Sequence, residues 1–262
     1  MANEHRQPEY ITTIQNVKET ALFGTADLDF WRARLKREDL FPFNVNGKAQ
    51  ITMNATQLKW NGMPFRELVI SIAVCKRTDE NTPDAAYLIH AYNSSRLLAF
   101  AERAFFQTPY YGGKIETSEH IPAFIAFDDS DGGILRAQMA GEHPRLRGED
   151  EMLEGAIYLP TTGTQTGNVF FAKLGGYTEA YSFIPGTDKI EMKPSQQSPV
   201  FEWLVESQFA PQEWRLRNNA THARTKTYPK SYGELLAVVG IANETNALST
   251  AMKVPVDEQY LK

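Results

Sequence analysis

A two-residue alternation of apolar and polar positions runs through most of this chain. In "AQITMNATQLKW" (residues 49–60) Ile51, Met53 and Ala55 share one side, the period of a half-buried strand. "NGMP" then makes a turn, and "FRELVISIAV" (65–74) follows as a second strand. Beyond the polar connection "CKRTDENTPD" comes "AAYLIHAYN" (85–93). Further strands are expected at "AFIAFDD", "GILRAQMAG", "EGAIYLP", "NVFFAKLGGYTEAYSFI" and "DKIEMKP", separated by the Gly, Asp and Pro of hairpin turns.

The helical period is rarer. "TADLDFWRARLK" spaces Leu28, Trp31 and Leu35 three and four apart. "SSRLLAFAERAFF" starts at Ser94 or Ser95 and carries Leu97, Leu98, Ala101, Ala104 and Phe105 on one stripe. "SPVFEWLVESQF" begins after Ser198 with Pro199 in its first turn, and "SYGELLAVVGIANE" supplies a short apolar helix near the C-terminus. About nine strands joined mostly by hairpins, with a few inserted helices, predict a mainly β (α+β) fold. The expected form is one antiparallel β-barrel or curved sheet, in a single domain over residues 1–262. A βα rhythm is missing, and so is a Gly-rich phosphate loop, which argues against a nucleotide enzyme.

Composition adds exclusions. At 42% hydrophobic and 23% charged residues, the 262-residue chain can bury a substantial core. A net charge of −5 argues against nucleic acid as a partner. The one basic cluster, at residues 215–230, reads as a solvated surface. Cys75, the single cysteine, lies in the apolar "LVISIAVCK" and is expected to be a buried thiol. "MANEHRQPEY" lacks the apolar region of a signal peptide, and no stretch approaches the ~18 apolar residues of a membrane span. The expected compartment is therefore the cytoplasm, with no membrane partner.

No metal or cofactor is expected. His5, His90, His120, His143 and His222 show no ligand spacing, and Asp128 and Asp129 in "DDSDGG" read as a turn. No G-x-S-x-G marks a nucleophilic serine. The strand at 65–74 is more informative. Alternation turns Glu67, Val69 and Ser71 to one side and Arg66, Leu68, Ile70 and Ile72 to the other. Inside a barrel Glu67 would be desolvated into the acid–base range; alternatively it pairs with an arginine as a structural ion pair. In "GGYTEAYSF" Tyr177, Glu179 and Tyr181 share a face that suits either a polar lumen or an exposed strand.

"AYLIHAYNSSRLLAFAERAFFQTPYYGGKIE" and "GGYTEAYSF" together resemble the acetoacetate decarboxylase-like superfamily, in particular an uncharacterised DUF2071-like branch. The likeness to the decarboxylases themselves covers residues 27–116. It implies an antiparallel β-barrel around a mostly apolar cavity, often assembled into homo-oligomers. Glu67 falls where the decarboxylases place a site glutamate. Their cavity arginine would fall near Val17, where only Lys18 offers a cation. Their Pro-Lys-Lys bend, whose first lysine forms a Schiff base, reads Pro109-Tyr110-Tyr111 here, and a phenol cannot form an imine. Lys114, just beyond, is a candidate relocated imine former.

The implied function is an enzyme of lyase, isomerase or cyclase type acting on a small oxo acid or polyketide-like compound. Glu67 would move a proton, and Tyr110 or Tyr111 would donate a hydrogen bond to the carbonyl. Arg66, His90, Tyr177, Glu179 and Tyr181 are the candidate substrate contacts. The alternatives are a non-catalytic barrel that binds an apolar small molecule and a structural oligomer with a filled cavity.

Overall fold

A computed structural model describes residues 8–75, 83–161 and 167–231. The helix expected after residue 231, His5 and most of the polar connection after Cys75 lie outside the described residues. Strands β1 (Tyr10–Asp27), β2 (Phe41–Pro42), β3 (Asn44–Val45), β4 (Lys48–Trp60), β5 (Met63–Cys75) and β6 (Ala85–Asn93) come first. Next are β7 (Tyr110–Gly112), β8 (Lys114–Thr117), β9 (Phe124–Asp128), β10 (Ile134–Gln138) and β11 (Arg145–Leu159). The last are β12 (Asn168–Ser182), β13 (Lys189–Lys193), β14 (Ala210–Thr225) and β15 (Tyr228–Pro229). Helix α1 (Leu28–Leu35) follows β1, α2 (Arg96–Phe106) joins β6 to β7, and α3 (Val200–Glu206) precedes β14.

Two long strands, β1 and β14, were not legible as strands. Each carries more polar than apolar residues, because it buries charge on one side. The "NGMP" turn behaves as expected: Asn61 and Gly62 have φ of 48° and 84° and join the paired Trp60 and Met63. Positive φ at both central residues is the backbone of a type I′ hairpin, which Asn-Gly suits.

Pairing in the larger sheet runs β5–β4–β1–β14–β12–β11–β6, and β6 pairs with β5 again, so the hydrogen-bonded path closes on itself. The sheet is mixed. β6 runs parallel to both β11 and β7, which corrects the expectation of a wholly antiparallel sheet. All nine residues of β6 are buried, since both of its faces are covered.

The register sorts side chains onto two faces. Leu22, Met53, Ile70 and Leu68 belong to the apolar face, which carries the main core. Packed into that core are Phe127, Ile125 and Leu135 of a second sheet, ordered β13–β10–β9–β8, with Trp31 of α1 and Phe201 of α3. The other face holds Glu67. Helix α2 packs there, placing Ala99 beside Leu88, Ala91 and Tyr110. Its partly buried Leu98 meets Val17, Leu58, Phe65 and Ala220.

Candidate active site on the Glu67 face

Strand β5 is rich in β-branched residues (Val69, Ile70, Ile72, Val74), which fit a pleated surface and fix the side to which Glu67 points. Its cross-strand neighbour on β6 is Asn93, whose Nδ2 donates to Glu67 Oε1 at 3.0 Å. The Asn93 amide is oriented by Ser95, whose backbone N–H donates to Asn93 Oδ1 at 2.8 Å. Ser95 is in turn the N-cap of α2, its hydroxyl accepting from Leu98 N–H. The start of the helix thus sets the donor that meets the glutamate.

Tyr110 arrives from the bend after α2. Its hydroxyl donates to Glu67 Oε2 at 3.1 Å, so both carboxyl oxygens are engaged. The carbonyl of Tyr110 accepts from Arg103 of α2, and its ring sits in the apolar cluster with Leu88, Ala91 and Leu159. Nearby, Arg224 Nη1 donates to both oxygens of Glu102 at 2.9 and 2.8 Å. The same guanidinium lies 4.8 Å from the Phe106 ring and 4.5 Å from that of Phe170.

These surroundings decide protonation. Burial raises the Glu67 carboxyl, the Glu102 carboxylate raises it further, and Tyr110, Arg224 and Asn93 only partly offset them; it comes to about 7. Burial, then Glu67 and Glu102, push the Tyr110 phenol well above its usual range. At neutral pH Glu67 exchanges a proton readily, whereas Tyr110 keeps its own and acts as a donor.

The same face carries a second group of buried charges. Directly paired residues form a belt from Asn93 through Glu67, Thr56, Glu19, Arg217 and Thr178 to the exposed Glu149. Arg217 donates to Thr178 Oγ1 (2.8 Å), Glu151 (2.8 Å) and Glu19 (3.3 Å). Arg147 meets Glu213 with two hydrogen bonds of 2.7 and 2.8 Å, and Arg215 also contacts Glu213. His222 Nε2 lies 2.9 Å from Glu19 Oε2. Burial raises the Glu19 carboxyl, but Arg217, His222 and Asn54 outweigh it and hold it down at about 2. Between the two glutamates, Thr56 Oγ1 and Asn54 Oδ1 are buried without a hydrogen-bond partner among the described residues.

Of the candidate residues, the fold brings Glu67 and Tyr110 together. Tyr111 pairs with Tyr92 on the apolar face, its ring 4.8 Å from that of His90. His90 is buried there, and burial lowers it to about 4. Arg66 has the opposite parity to Glu67 and is exposed. Tyr177, Glu179 and Tyr181 share no face with Glu67, since Glu179 and Tyr181 pair with Leu216 and Trp214 of the apolar face. Glu179 instead accepts from Arg145 at 2.8 Å, and Tyr177 is 46% exposed. Lys114 also fails as an inward amine: its side chain is 72% exposed and pairs with Glu116 at 2.7 Å.

The reading of residues 215–230 as a solvated surface is corrected too, because Arg215 and Arg217 are each only 3% exposed. The signal was present: "EWRLR" alternates Glu213, Arg215 and Arg217 onto one side once the segment is taken as a strand. Asn93, Glu102 and Arg224 carried no such local mark. Among the described residues, no group of three or more His, Cys, Asp or Glu side chains is placed to hold a metal ion. No described helix is long and apolar enough to cross a membrane.

No family model matches the chain, and no curated protein matches it. Solved structures do. An acetoacetate decarboxylase aligns with a TM-score of 0.56 at 12% identity, over 86% of this chain and 89% of its own. The acetoacetate decarboxylase of Legionella pneumophila subsp. pneumophila str. Philadelphia 1 aligns with a TM-score of 0.55 at 12% identity, covering 85% and 88%. The enduracididine biosynthesis enzyme MppR, complexed with the condensation product of pyruvate and imidazole 4-carboxaldehyde, gives 0.55 at 12% identity, covering 86% and 89%. The chain therefore has the acetoacetate decarboxylase-like fold; at this identity the likeness extends to the fold and no further.

Proposed function

We propose that the closed seven-strand path is a barrel, within one domain spanning the chain, and that the Glu67 face is its lumen. A ring of about eight strands has room inside for side chains and one small ligand but not for a sheet or a helix, which supports placing the second sheet, α1 and α3 outside and α2 across one end of the lumen. In that lumen the protein catalyses proton transfer next to the carbonyl of a small oxo acid or a polyketide-like compound, as a lyase, isomerase or cyclase. The observation that carries this reading is the Glu67–Tyr110 pair: a carboxyl raised to about 7 in contact with a phenol held protonated.

The chemistry follows from the pair. Ionised Glu67 takes a proton from the carbon beside the carbonyl, and the electron pair moves onto the carbonyl oxygen. Tyr110 turns its hydroxyl from Glu67 to that oxygen and stabilises the enolate. Where a double bond adjoins the deprotonated carbon, protonated Glu67 returns the proton to the far end of the dienolate and completes isomerisation; where the next carbon carries a hydroxyl, it protonates that group, water leaves, and the enolate collapses to the unsaturated carbonyl. No lysine lies in the belt of paired residues, so the reading needs no imine. The condensation product of pyruvate held by MppR supports an oxo acid as the substrate class.

The test is exchange of the carbon-bound protons of pyruvate and acetoacetate in deuterium oxide, followed by NMR. Wild type should exchange them with no mass adduct after borohydride. Glu67→Gln should abolish exchange, and Tyr110→Phe should slow it roughly a hundredfold. Unchanged exchange in both variants would remove the pair from the site. The apolar cluster around Tyr110 (Leu88, Ala91, Leu159, with Val69 and Phe170) favours a second reading, a barrel that binds an apolar small molecule without turnover. Ligand affinity that survives Glu67→Gln, with no exchange in wild type, would select it.

A further inference from the structure

Behind β7, on the opposite side from Tyr110, lies a groove of about 1090 Å³ that the proposed reaction does not use. Arg66, Arg96, Arg103, Lys114, Tyr111 and Gln197 line it. Its acidic lining is engaged within the protein. Glu116 pairs with Lys114 at 2.7 Å, and Asp128 pairs with Arg136 at 2.5 Å. Asp129 accepts from the hydroxyls of Ser195 and Ser198 and from the backbone N–H groups of Asp131 and Gly133.

The arginines are different. Arg66, Arg96 and Arg103 form no ion pair among the described residues, and since only neutral donors hold Asp129, the groove keeps a surplus of two positive charges. Two of them have supported side chains. The stem of Arg96 crosses Gly112 so closely that a Cβ there would lie 3.1 Å from Arg96 Cγ. Arg103 donates through one Nη1 to the Tyr110 carbonyl and lies 5.1 Å above the Tyr111 ring, with the rest of its fork unused. Arg96 is also the first residue of α2, where the positive end of the helix adds to its charge.

We infer that this groove binds a small molecule through a phosphate or carboxylate group, held by Arg66 and Arg96 with Arg103 beside them. Planar guanidinium forks match the paired oxygens of either group. The groove is distinct from the site of the proposed reaction, because neither Glu67 nor Tyr110 lines it.

The experiment titrates the full chain with inorganic phosphate and, separately, with citrate, following the backbone amide signals of Gly112 and Gly113. Saturable shifts are expected with at least one probe, and the tighter probe identifies whether phosphate or carboxylate is the recognised group. Arg66→Gln/Arg96→Gln should weaken that binding at least tenfold, or ~1.4 kcal/mol. Glu67→Gln should leave it unchanged. The inference is overturned if neither probe saturates, or if the double variant binds like wild type. It is equally overturned if Glu67→Gln loses the binding that the double variant keeps, which would put the anion in the lumen.

Discussion

Glu67 and Glu19 sit on one face of one sheet, separated by the single residue Thr56 in the belt of direct pairs. Both are driven upward by burial, yet one comes to about 7 and the other to about 2. The difference lies in the partners. Glu19 meets a guanidinium and an imidazole, which favour its charge. Glu67 meets an amide and a phenol, with the Glu102 carboxylate nearby and the Arg224 charge largely spent on Glu102. Depth alone therefore does not make a working acid; a buried carboxyl becomes one where its counter-charge is committed elsewhere. The Glu19 end is a buried ion network, and the Glu67 end is the one that suits the proposed proton transfer.

The largest effect should come from breaking the network. Arg217→Met leaves Glu19 and Glu151 buried without their main cation, and should cost about 3–5 kcal/mol in urea unfolding. Glu19→Gln added to that variant should recover part of the loss. An unchanged midpoint would mean that the network contributes nothing.

The two glutamates also predict opposite pH slopes. The Glu19 contribution is present above about 4.5 and is lost as pH falls towards 2, because its folded value is depressed. For Glu67 the folded value is raised, so stability falls as pH rises from 4.5 towards 7. The penalty above pH 7 is at most roughly 3 kcal/mol, reduced by the side chain's residual exposure. Glu67→Gln should flatten this slope and leave the acid limb from Glu19 in place. Urea midpoints measured from pH 3 to 8 decide it, and parallel curves for the two proteins would refute the assignment.

A smaller effect sharpens the comparison. Glu102→Gln removes the neighbouring negative charge and frees Arg224, so the Glu67 midpoint should fall by about one unit, ~1.4 kcal/mol. Carboxyl carbon shifts followed through the titration would show it, and a rise would contradict the stated cause. Least of all, Lys114→Gln should leave the urea midpoint unchanged, since its pair with Glu116 is exposed. A shift of several degrees in Tm would show that the lysine has a role beyond the surface.

The alternation in "FRELVISIAV" is enough to set Glu67 and Arg66 on opposite sides, and the resemblance points to the bend without choosing between Tyr110 and Tyr111. It could not say which face of one strand matches which face of the next. Tyr177, Glu179 and Tyr181 alternate as cleanly as Glu67 does, yet the pairing register carries them to the other side of the sheet. Tyr110 and Tyr111 are adjacent, and the same rule sends them to opposite faces. The likeness to the decarboxylases supplied the fold, but it could not reveal β14, whose arginines look like a surface until Glu19, Glu151 and Glu213 are seen opposite them.

The pair of glycines after the tyrosines gives the bend a mechanical meaning. A Cβ on Gly113 would lie 2.2 Å from the Phe127 ring, so the second sheet presses directly against the chain that delivers Tyr110. With no side chain between them there is no slack at this seam. Phe127 thus abuts the backbone three residues beyond Tyr110, and the path of the chain that carries the phenol to Glu67 is bounded by the second sheet as well as by β6.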